Sequence, residues 1–381
     1  MLKYLKDVLI DDFWIMPATP KYTSEGIPYI TSKNIKDGKI DFENSKYICI
    51  EDYKKISKNR PILIDDILIS MIGTLGEIAI VKEDNGIFYG QNMFLVRLDK
   101  NKVLHRYFIN YFKSNNVKME LSNKQNKSTQ SYLKANHIES LRIPLPDIEH
   151  QKRIAYILDE IQEIIYLRKK QIIELEQIIK SQFVEMFGDP IENPKNNEIV
   201  KLSDIAEYWN GLTYKPTDVN KEGTIVLRSS NIQNSQLNYE DIVRVNCNIK
   251  EKQYVKDNDI LMCSRNGSAR LVGKVAVIKD AKERMTFGAF MMIIRSKYYP
   301  YLFSYFQTDA FRNQIKSGAT TTINQITGNM LNKIKLPLPN MKDIEQFAEI
   351  VKQIDKQKFE IENSLKDMQE LYESLMERYF G

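Results

Sequence analysis

The sequence predicts an α+β protein that contains the same arrangement twice: a mostly β module followed by one long helix, with the two helices paired as an antiparallel coiled coil. Three observations predict this fold class. Short patterns of the first half return in order in the second half, each half has a Pro-x-Pro stop, and each stop precedes a long helical pattern without Gly or Pro. The length of 381 residues suits two or three domains.

The internal repeat has a period of roughly 195 residues, far longer than the units of 20–50 residues that build solenoid proteins. Its members keep their order and nearly one offset, which indicates a module duplicated together with its connector. Residues 30–35 return as 227–232, residues 66–70 as 259–263, residues 76–81 as 273–278, residues 93–97 as 291–295, and residues 141–146 as 334–339.

Within each half, short runs rich in Ile, Val, Tyr and Phe alternate with Asn, Asp and Gly, which is typical of strands joined by turns. Shorter helical patterns follow at residues 104–114 and 300–316. The stops are Pro144 with Pro146 in the first half and Pro337 with Pro339 in the second.

The two long helical patterns cover residues 148–187 and roughly 344–380, and both have apolar heptads typical of a coiled-coil seam. Polar residues interrupt the seam at Arg168, Gln182 and Lys358, so the helix pair could contact a third partner. An alternative is that each helix packs only on its own module. The residues expected to bind a partner are Leu158, Ile165, Ile172, Ile179, Ile354, Ile361, Met368 and Leu375.

Composition excludes several classes of protein. The net charge is +5, which permits an anionic partner without requiring one. Three cysteines without a CxxC pair, and three histidines, predict neither a disulfide framework nor a metal site. No leader and no membrane span are expected, so we predict a cytoplasmic protein. Phosphate-loop, dinucleotide-binding, amino-methyltransferase and nuclease motifs are not found, so we predict that the chain is not an enzyme.

Polar and basic loops at matched places in the two halves suit a nucleic acid, because Arg, Lys, Asn and Ser contact phosphates and base edges. Taken singly, each is typical of an ordinary solvated loop, and their recurrence favours DNA binding. Two unlike modules on a helical spacer suit duplex DNA with two half-sites. The candidate residues in these loops are Ser32, Lys33, Asn34, Lys127, Ser128, Thr129, Arg228, Ser229, Ser230, Asn231, Arg265, Asn266, Ser268, Arg270, Thr321, Thr322 and Asn324.

As an ordered set, these patterns resemble the specificity subunits of type I restriction-modification systems over essentially the whole chain. The resemblance rests on the repeat, on residues 143–154 with their Ile-Pro-Leu-Pro start, on residues 201–206 leading to 211–215, and on residues 66–70 with 73–76. It adds Lys21, Thr74 and Lys215 to the candidate DNA-binding residues. The first half lacks the glycine found at Gly211, and the second connector is two residues longer than the first.

The resemblance implies four segments: a first target-recognition domain at 1–147, a central conserved helical region at 148–188, a second target-recognition domain at 189–340 and a C-terminal conserved helical region at 341–381. It implies recognition of a gapped site in double-stranded DNA and docking of two methyltransferase subunits, and it allows restriction subunits as further partners. S-adenosylmethionine and ATP would be bound by those partner subunits, with no cofactor in this chain.

Two alternatives come from other classes of protein. A non-enzymatic interaction scaffold would bind DNA weakly and without salt dependence. A stand-alone DNA-modifying enzyme would show activity that depends on S-adenosylmethionine or a metal when the purified chain is tested alone.

Overall fold

The computed structural model describes residues 1–11, 14–16, 20–36, 38–72, 76–123, 132–279, 281, 283–317 and 325–381. The chain forms two compact units, one made of Met1–Lys170 with Glu362–Gly381 and the other of Gln171–Ile361. Each unit therefore contains a β-rich module and a part of both long helices. None of the helices in the described ranges is both long and apolar enough to cross a membrane.

The first unit contains eleven described strands and four short helices before the first long helix. The strands are β1 (Leu2–Tyr4), β2 (Trp14–Ile15), β3 (Ile27–Ile30), β4 (Ile35–Lys36), β5 (Lys39–Ile40), β6 (Lys46–Ile48), β7 (Ile67–Ser70), β8 (Ile78–Ile80), β9 (Tyr89–Gly90), β10 (Met93–Val96) and β11 (Arg142–Pro144). The helices are α1 (Ile50–Ser57), α2 (His105–Phe112), α3 (Asn115–Asn123), α4 (Ala135–Glu139) and the long α5 (Ile148–Phe187).

The second unit repeats this order. Its strands are β12 (Glu198–Lys201), β13 (Glu207–Asn210), β14 (Val219–Asn220), β15 (Thr224–Leu227), β16 (Ile232–Gln233), β17 (Gln236–Leu237), β18 (Val243–Val245), β19 (Ile260–Cys263), β20 (Val275–Val277), β21 (Met285–Phe287), β22 (Met291–Arg295) and β23 (Lys335–Leu338). Its helices are α6 (Leu202–Ile205), α7 (Tyr299–Tyr305), α8 (Asp309–Ser317), α9 (Gly328–Leu331) and the long α10 (Met341–Phe380).

Sheet topology confirms the duplication that the sequence predicts. A four-stranded sheet in the order β2-β10-β7-β8 corresponds to β13-β22-β19-β20, and the pair β1-β11 corresponds to β12-β23. In both units a short parallel pairing occurs, β3 with β9 and β15 with β21. The hairpin β4-β5 likewise has its counterpart in β16-β17.

The central sheet of each unit is buried on both faces, because successive side chains of a strand point to opposite sides. In β7, Ile67 and Ile69 belong to one core and Leu68 to another. In β19, Met262 faces the core beside the helices and Leu261 faces the core beside the other sheet.

The long helices pack together and run antiparallel within each unit. In the second unit the ring of Phe183 lies 5.9 Å from that of Phe347, while Glu176, earlier in α5, pairs with Lys358, later in α10. The predicted α+β fold class with paired helices is therefore confirmed.

The end of each long helix completes a module core. Phe183 and Phe187 of α5 pack against Tyr301 in the second unit. Phe380 of α10 packs against Tyr107 and Tyr111 in the first unit. Gly188 ends α5 in a left-handed conformation (φ +78°), which glycine adopts without steric cost.

Candidate nucleic-acid interface

The first predicted loop of the first unit is a single 3-10 turn, Ser32–Asn34, between β3 and β4. The Asn34 side chain is buried: its Oδ1 accepts from the backbone nitrogen of Thr31 at 2.9 Å, and its Nδ2 donates to the carbonyl of Asp41 at 2.9 Å. Ser32 is also buried and donates to the carbonyl of Asn92. Of the three predicted residues, only Lys33 presents an exposed side chain.

The matching turn of the second unit is Ser229–Asn231, and it is built the same way. Asn231 accepts from the backbone nitrogen of Arg228 at 2.8 Å and donates to the carbonyl of Asp241 at 2.9 Å. The Arg228 guanidinium is half-buried and forms an ion pair of 2.7 Å with the Asp241 carboxylate. Arg228 is therefore already paired, while Ser229 and Ser230 remain half-exposed.

These contacts give part of the predicted set a role within the protein. Asn34 and Asn231 hold their turns, because an asparagine amide can satisfy backbone groups on both sides of a tight turn. Their amide groups have protein partners in the structure, as does the hydroxyl of Ser32. We therefore leave these three residues out of the DNA-contacting surface proposed below.

A second loop, residues 264–271, lies beside the Ser229 turn. The Nδ2 of Asn266 donates to the Oγ of Ser229 at 3.1 Å, which joins two predicted segments into one surface. Asn266 also accepts from the backbone nitrogen of Ser268 at 3.0 Å. Arg270 is exposed and forms no ion pair among the described residues.

The turn that precedes β22 contributes a residue that the loop motifs did not indicate. Phe290 is 59% exposed, and the guanidinium of Arg265 lies over its ring at 5.2 Å from the centroid. The Phe290 carbonyl accepts from the backbone nitrogens of Ser264 at 2.9 Å and Arg265 at 3.1 Å. The repeat could have indicated this residue, because it aligns Phe290 with the polar residue Asn92, which is also exposed.

Equivalent backbone contacts occur in the first unit. The carbonyl of Asn92 accepts from the backbone nitrogen of Met71 at 3.1 Å, as that of Phe290 accepts from Ser264. Ile72 forms an isolated antiparallel bridge with Tyr132, as Arg265 does with Gln325. The same backbone arrangement, called the loop frame below, therefore presents Asn92 and Ile72 in one unit, and Phe290 and Arg265 in the other.

The remaining predicted DNA-binding residues are distributed as follows. Lys21 and Lys215 have exposed side chains, and no hydrogen bond among the described residues links them to the turns above. Gly211 lies so close to β21 that a Cβ atom would meet the carbonyl oxygen of Phe287 at 2.1 Å. The Gly211 nitrogen donates to the Met291 carbonyl at 3.2 Å, and in the first unit the Met16 nitrogen makes the corresponding bond to the Met93 carbonyl at 3.1 Å. Outside the described residues lie Thr74, Lys127, Ser128, Thr129, Thr321, Thr322 and Asn324.

Lys274 supports the second unit's loops from below. Its Nζ donates to the carbonyl of Ile232 at 2.7 Å, directly after the Ser229 turn. Burial lowers the pKa of Lys274, and burial raises the pKa of the adjacent Cys263 thiol. Lys274 therefore helps to hold the backbone beneath the loops, and the Cys263 side chain is buried there.

Each central sheet is tied to its surroundings by a buried carboxylate. Asp66 accepts from Arg97 Nε at 2.7 Å in the first unit, and Asp259 accepts from Arg295 Nε at 2.7 Å in the second. These bonds to the two aspartates raise the pKa of both arginines. Matched ion pairs at matched places show that the two frames are held by the same contacts.

The predicted partner-binding residues lie at the contact between α5 and α10 of this chain. Leu158 and Ile354 are buried, and the other members are half-buried: Ile165, Ile172, Ile179, Ile361, Met368 and Leu375. Two polar contacts join the helices, Glu176 with Lys358 in the second unit and Gln162 with Tyr372 in the first. Leu158 and Leu375 therefore pack in the core of the first unit, and Ile179 packs against that of the second.

Other apolar side chains of α5 are exposed. Within the first unit they are Tyr156 at 61%, Ile164, Tyr166 at 60% and Leu167; within the second they are Ile173, Ile178 and Val184. These side chains of α5 remain exposed within their units.

The family described as "Type I restriction modification DNA specificity domain" matches the chain twice, at residues 5–177 and 194–370. The MjaVIII specificity subunit of Methanocaldococcus jannaschii is 25% identical over 374 residues, covering 90% of this chain and 84% of that protein. The EcoKI specificity subunit of Escherichia coli is 23% identical over 390 residues, covering 93% and 82%.

Solved structures show the same fold. The S subunit of a type I restriction-modification system from M. genitalium superposes with a TM-score of 0.60 at 13% identity, covering 100% of this chain and 96% of that one. A chain from a study of complex assembly and conformational transition of the type I system gives a TM-score of 0.61 at 17% identity, covering 100% and 97%.

Proposed function

Because this chain belongs to the family of type I restriction-modification DNA specificity proteins, we propose that it recognises a bipartite, gapped site in duplex DNA, with one half-site for each module. The relatives of this chain from M. jannaschii and E. coli described above are named specificity subunits. Recognition of two half-sites needs two modules that share a frame but differ at the surface.

The observation that carries this proposal is the pairing of equal frames with unequal exposed side chains. Lys33 in the first unit corresponds to Ser230 in the second, and Asn92 corresponds to Phe290. The buried residues between them, Asn34 and Asn231, are the same and make equivalent bonds. Such a pattern is expected when two modules recognise different short sequences.

Affinity for DNA would come from exposed cations near these turns. Lys33 in the first unit, and Arg265 and Arg270 in the second, are exposed and form no ion pair among the described residues. Each phosphate that they neutralise releases counterions, so binding would weaken steeply with salt. Base-edge contacts from the same turns would supply sequence preference, at roughly 1–3 kcal/mol for each good bidentate pair.

The long helices would serve two further purposes. Their length would set the gap between half-sites, since α5 and α10 each contain residues of both units. The exposed apolar residues of α5, among them Tyr156 and Leu167, would bind the methyltransferase subunits, two in each complex. The structural neighbour from the study of type I complex assembly supports a role within a larger assembly.

Catalysis would belong to the partners of this chain. Methyl transfer would use S-adenosylmethionine bound by the methyltransferase subunits, and ATP would be used by restriction subunits where these join the complex. This chain would contribute DNA recognition without a cofactor of its own, and it would act in the cytoplasm, where its DNA is found.

Selection from random DNA tests the proposal. The chain, copurified with its methyltransferase subunits, is incubated with randomised duplex DNA, and the retained molecules are sequenced. Two short unlike motifs at one fixed gap are expected. A folded complex that retains no gapped motif would overturn the proposal and favour the interaction scaffold, and methylation by this chain alone would favour the stand-alone enzyme.

A further inference from the structure

We propose that Phe290 is a wedge residue, which inserts its ring at a base step of the half-site recognised by the second module and partly unstacks it. This inference rests on the proposed function, because it requires that the second module contacts duplex DNA. It adds to that function a mode of recognition that depends on how easily a base step opens.

Phe290 is placed on the same surface as the loops proposed to contact DNA. Its neighbour Arg265 belongs to the loop that Asn266 links to Ser229 at 3.1 Å. The ring is 59% exposed at the turn between β21 and β22, so it is not a core residue of the module. An exposed phenyl group beside candidate phosphate contacts is the chemistry that unstacks base pairs in DNA-bending proteins.

The tip is rigid, which a wedge requires. Two backbone nitrogens, those of Ser264 and Arg265, donate to the Phe290 carbonyl, and the flanking Met291 is buried in the core. The turn itself closes with a bond of 2.8 Å from Met291 nitrogen to the Gly288 carbonyl. Insertion would therefore lose little conformational freedom, since the backbone is already fixed.

Arg265 adds charge at the base of the wedge. Its guanidinium lies over the ring at 5.2 Å and is exposed, so it can reach a phosphate while the ring contacts a base. Arginine stacked on an aromatic ring combines both contacts in nucleic-acid recognition. In the first unit Asn92 stands at the position of Phe290, so no wedge is expected from that position in the first half-site.

The test uses the assembled complex with its methyltransferase subunits and the gapped duplex that it selects. The fluorescent base 2-aminopurine is placed at each step of the two half-sites in turn. The methyltransferase subunits flip their target base, so a rise at that base is expected in both half-sites and is set aside. Binding of the wild-type complex is expected to raise fluorescence several-fold at one further step of the second half-site. Phe290→Ala should abolish that rise and weaken binding roughly ten- to hundredfold, with the salt dependence unchanged.

Two controls keep the result specific. Phe359→Ala removes another exposed phenyl group (63%) of the same unit, on α10, and should leave fluorescence and affinity unchanged. Arg265→Ala should lower the slope of log affinity against log salt by about one, as expected for a phosphate contact.

Several outcomes would overturn the wedge. One is that the wild-type complex selects a gapped site but raises fluorescence at no further step of the second half-site. Another is that the Phe290→Ala complex keeps the rise. A third is that Phe290→Ala loses no more affinity than Phe359→Ala. In each case the gapped motif itself still stands, so the proposed function survives. Failure of the wild-type complex to select any gapped motif would overturn both.

Discussion

Replacement of the buried carboxylate of the second unit tests whether the two frames are held independently. Asp259 is 1% exposed and accepts three hydrogen bonds, from Arg295 Nε at 2.7 Å, from Arg295 Nη2 at 2.7 Å and from the backbone nitrogen of Lys256 at 2.8 Å. Asp259→Asn removes the charge and turns an amide donor toward the guanidinium. Breaking a buried ion pair costs about 3–5 kcal/mol, and because Arg295 keeps some contact with water we expect about 3 kcal/mol.

Hydrogen exchange followed by mass spectrometry measures this loss for each unit separately. A change of about 3 kcal/mol corresponds to a roughly hundredfold faster exchange of the most protected amides in β19 and β22. Asp66→Asn is the matched control, because Asp66 accepts the equivalent bonds from Arg97 and should affect β7 and β10 instead. A change below threefold in β19, or an equal change in both units, would refute this account of the frames.

Four further predictions follow from the helices, the loops and one histidine. Removal of one heptad from both α5 and α10 shortens each helix by about 10 Å, so the selected gap should shrink by about 3 base pairs with both half-sites unchanged; an unchanged gap contradicts the spacer role. Tyr156→Glu should reduce capture of the methyltransferase subunits in a pull-down assay, while hydrogen exchange in the loops proposed to contact DNA stays the same. Undiminished capture would show that Tyr156 is not part of the contact. Arg270→Ala should lower the salt slope of DNA binding by about one, whereas Arg228→Ala should change it less, because Arg228 is already ion-paired; equal slopes would argue against that difference. Burial lowers the pKa of His105 below its ordinary 6.5, and the nearby carboxylate of Asp65 opposes this shift. The unfolded state therefore binds the proton more readily, and stability is lost as the pH falls through 6.5. The urea midpoint of the wild-type protein should fall more between pH 7.5 and 5.5 than that of His105→Gln, and parallel curves would contradict this.

The duplication and the helix pair could be predicted because both depend on patterns that persist along the chain. Burial of β7 and β19 on both faces follows from apolar runs that the repeat aligns, and the heptads place buried residues such as Leu158 at the seam. The roles of individual polar residues depend on partners remote in sequence. Arg228 pairs with Asp241, an interaction that no local spacing indicates.

Asparagine shows most clearly why sequence alone does not fix the role of a polar loop residue. Asn34 and Asn231 occupy loops of the expected type, and asparagine is suited both to base edges and to closing tight turns. Only the burial of the two side chains and their bonds to Asp41 and Asp241 decide between these uses. The exposure of Phe290 could not be predicted for the opposite reason, since a lone phenylalanine in a strand-rich region is typical of a core.

The long helices were predicted as segments separate from the modules, whereas their ends belong to the module cores. Phe183 and Phe187 lie in the core of the second unit, and Met376 and Phe380 lie in that of the first. The offset that relates these two pairs matches that of the repeat. The heptads alone do not indicate that aromatic residues near the C-terminal end of each long helix enter a module core.

The contribution of α10 to the first unit has a consequence for the order in which the chain folds on the ribosome. Residues 171–361, which form the second unit, are synthesised before the segment that carries Met376 and Phe380. Until that segment emerges, Tyr107 and Tyr111 lack the ring that packs on them, and Asn116 lacks the Phe380 carbonyl that accepts its amide at 3.0 Å. The module translated first is therefore completed last, and a nascent chain arrested before residue 376 would expose an unfilled apolar site to chaperones.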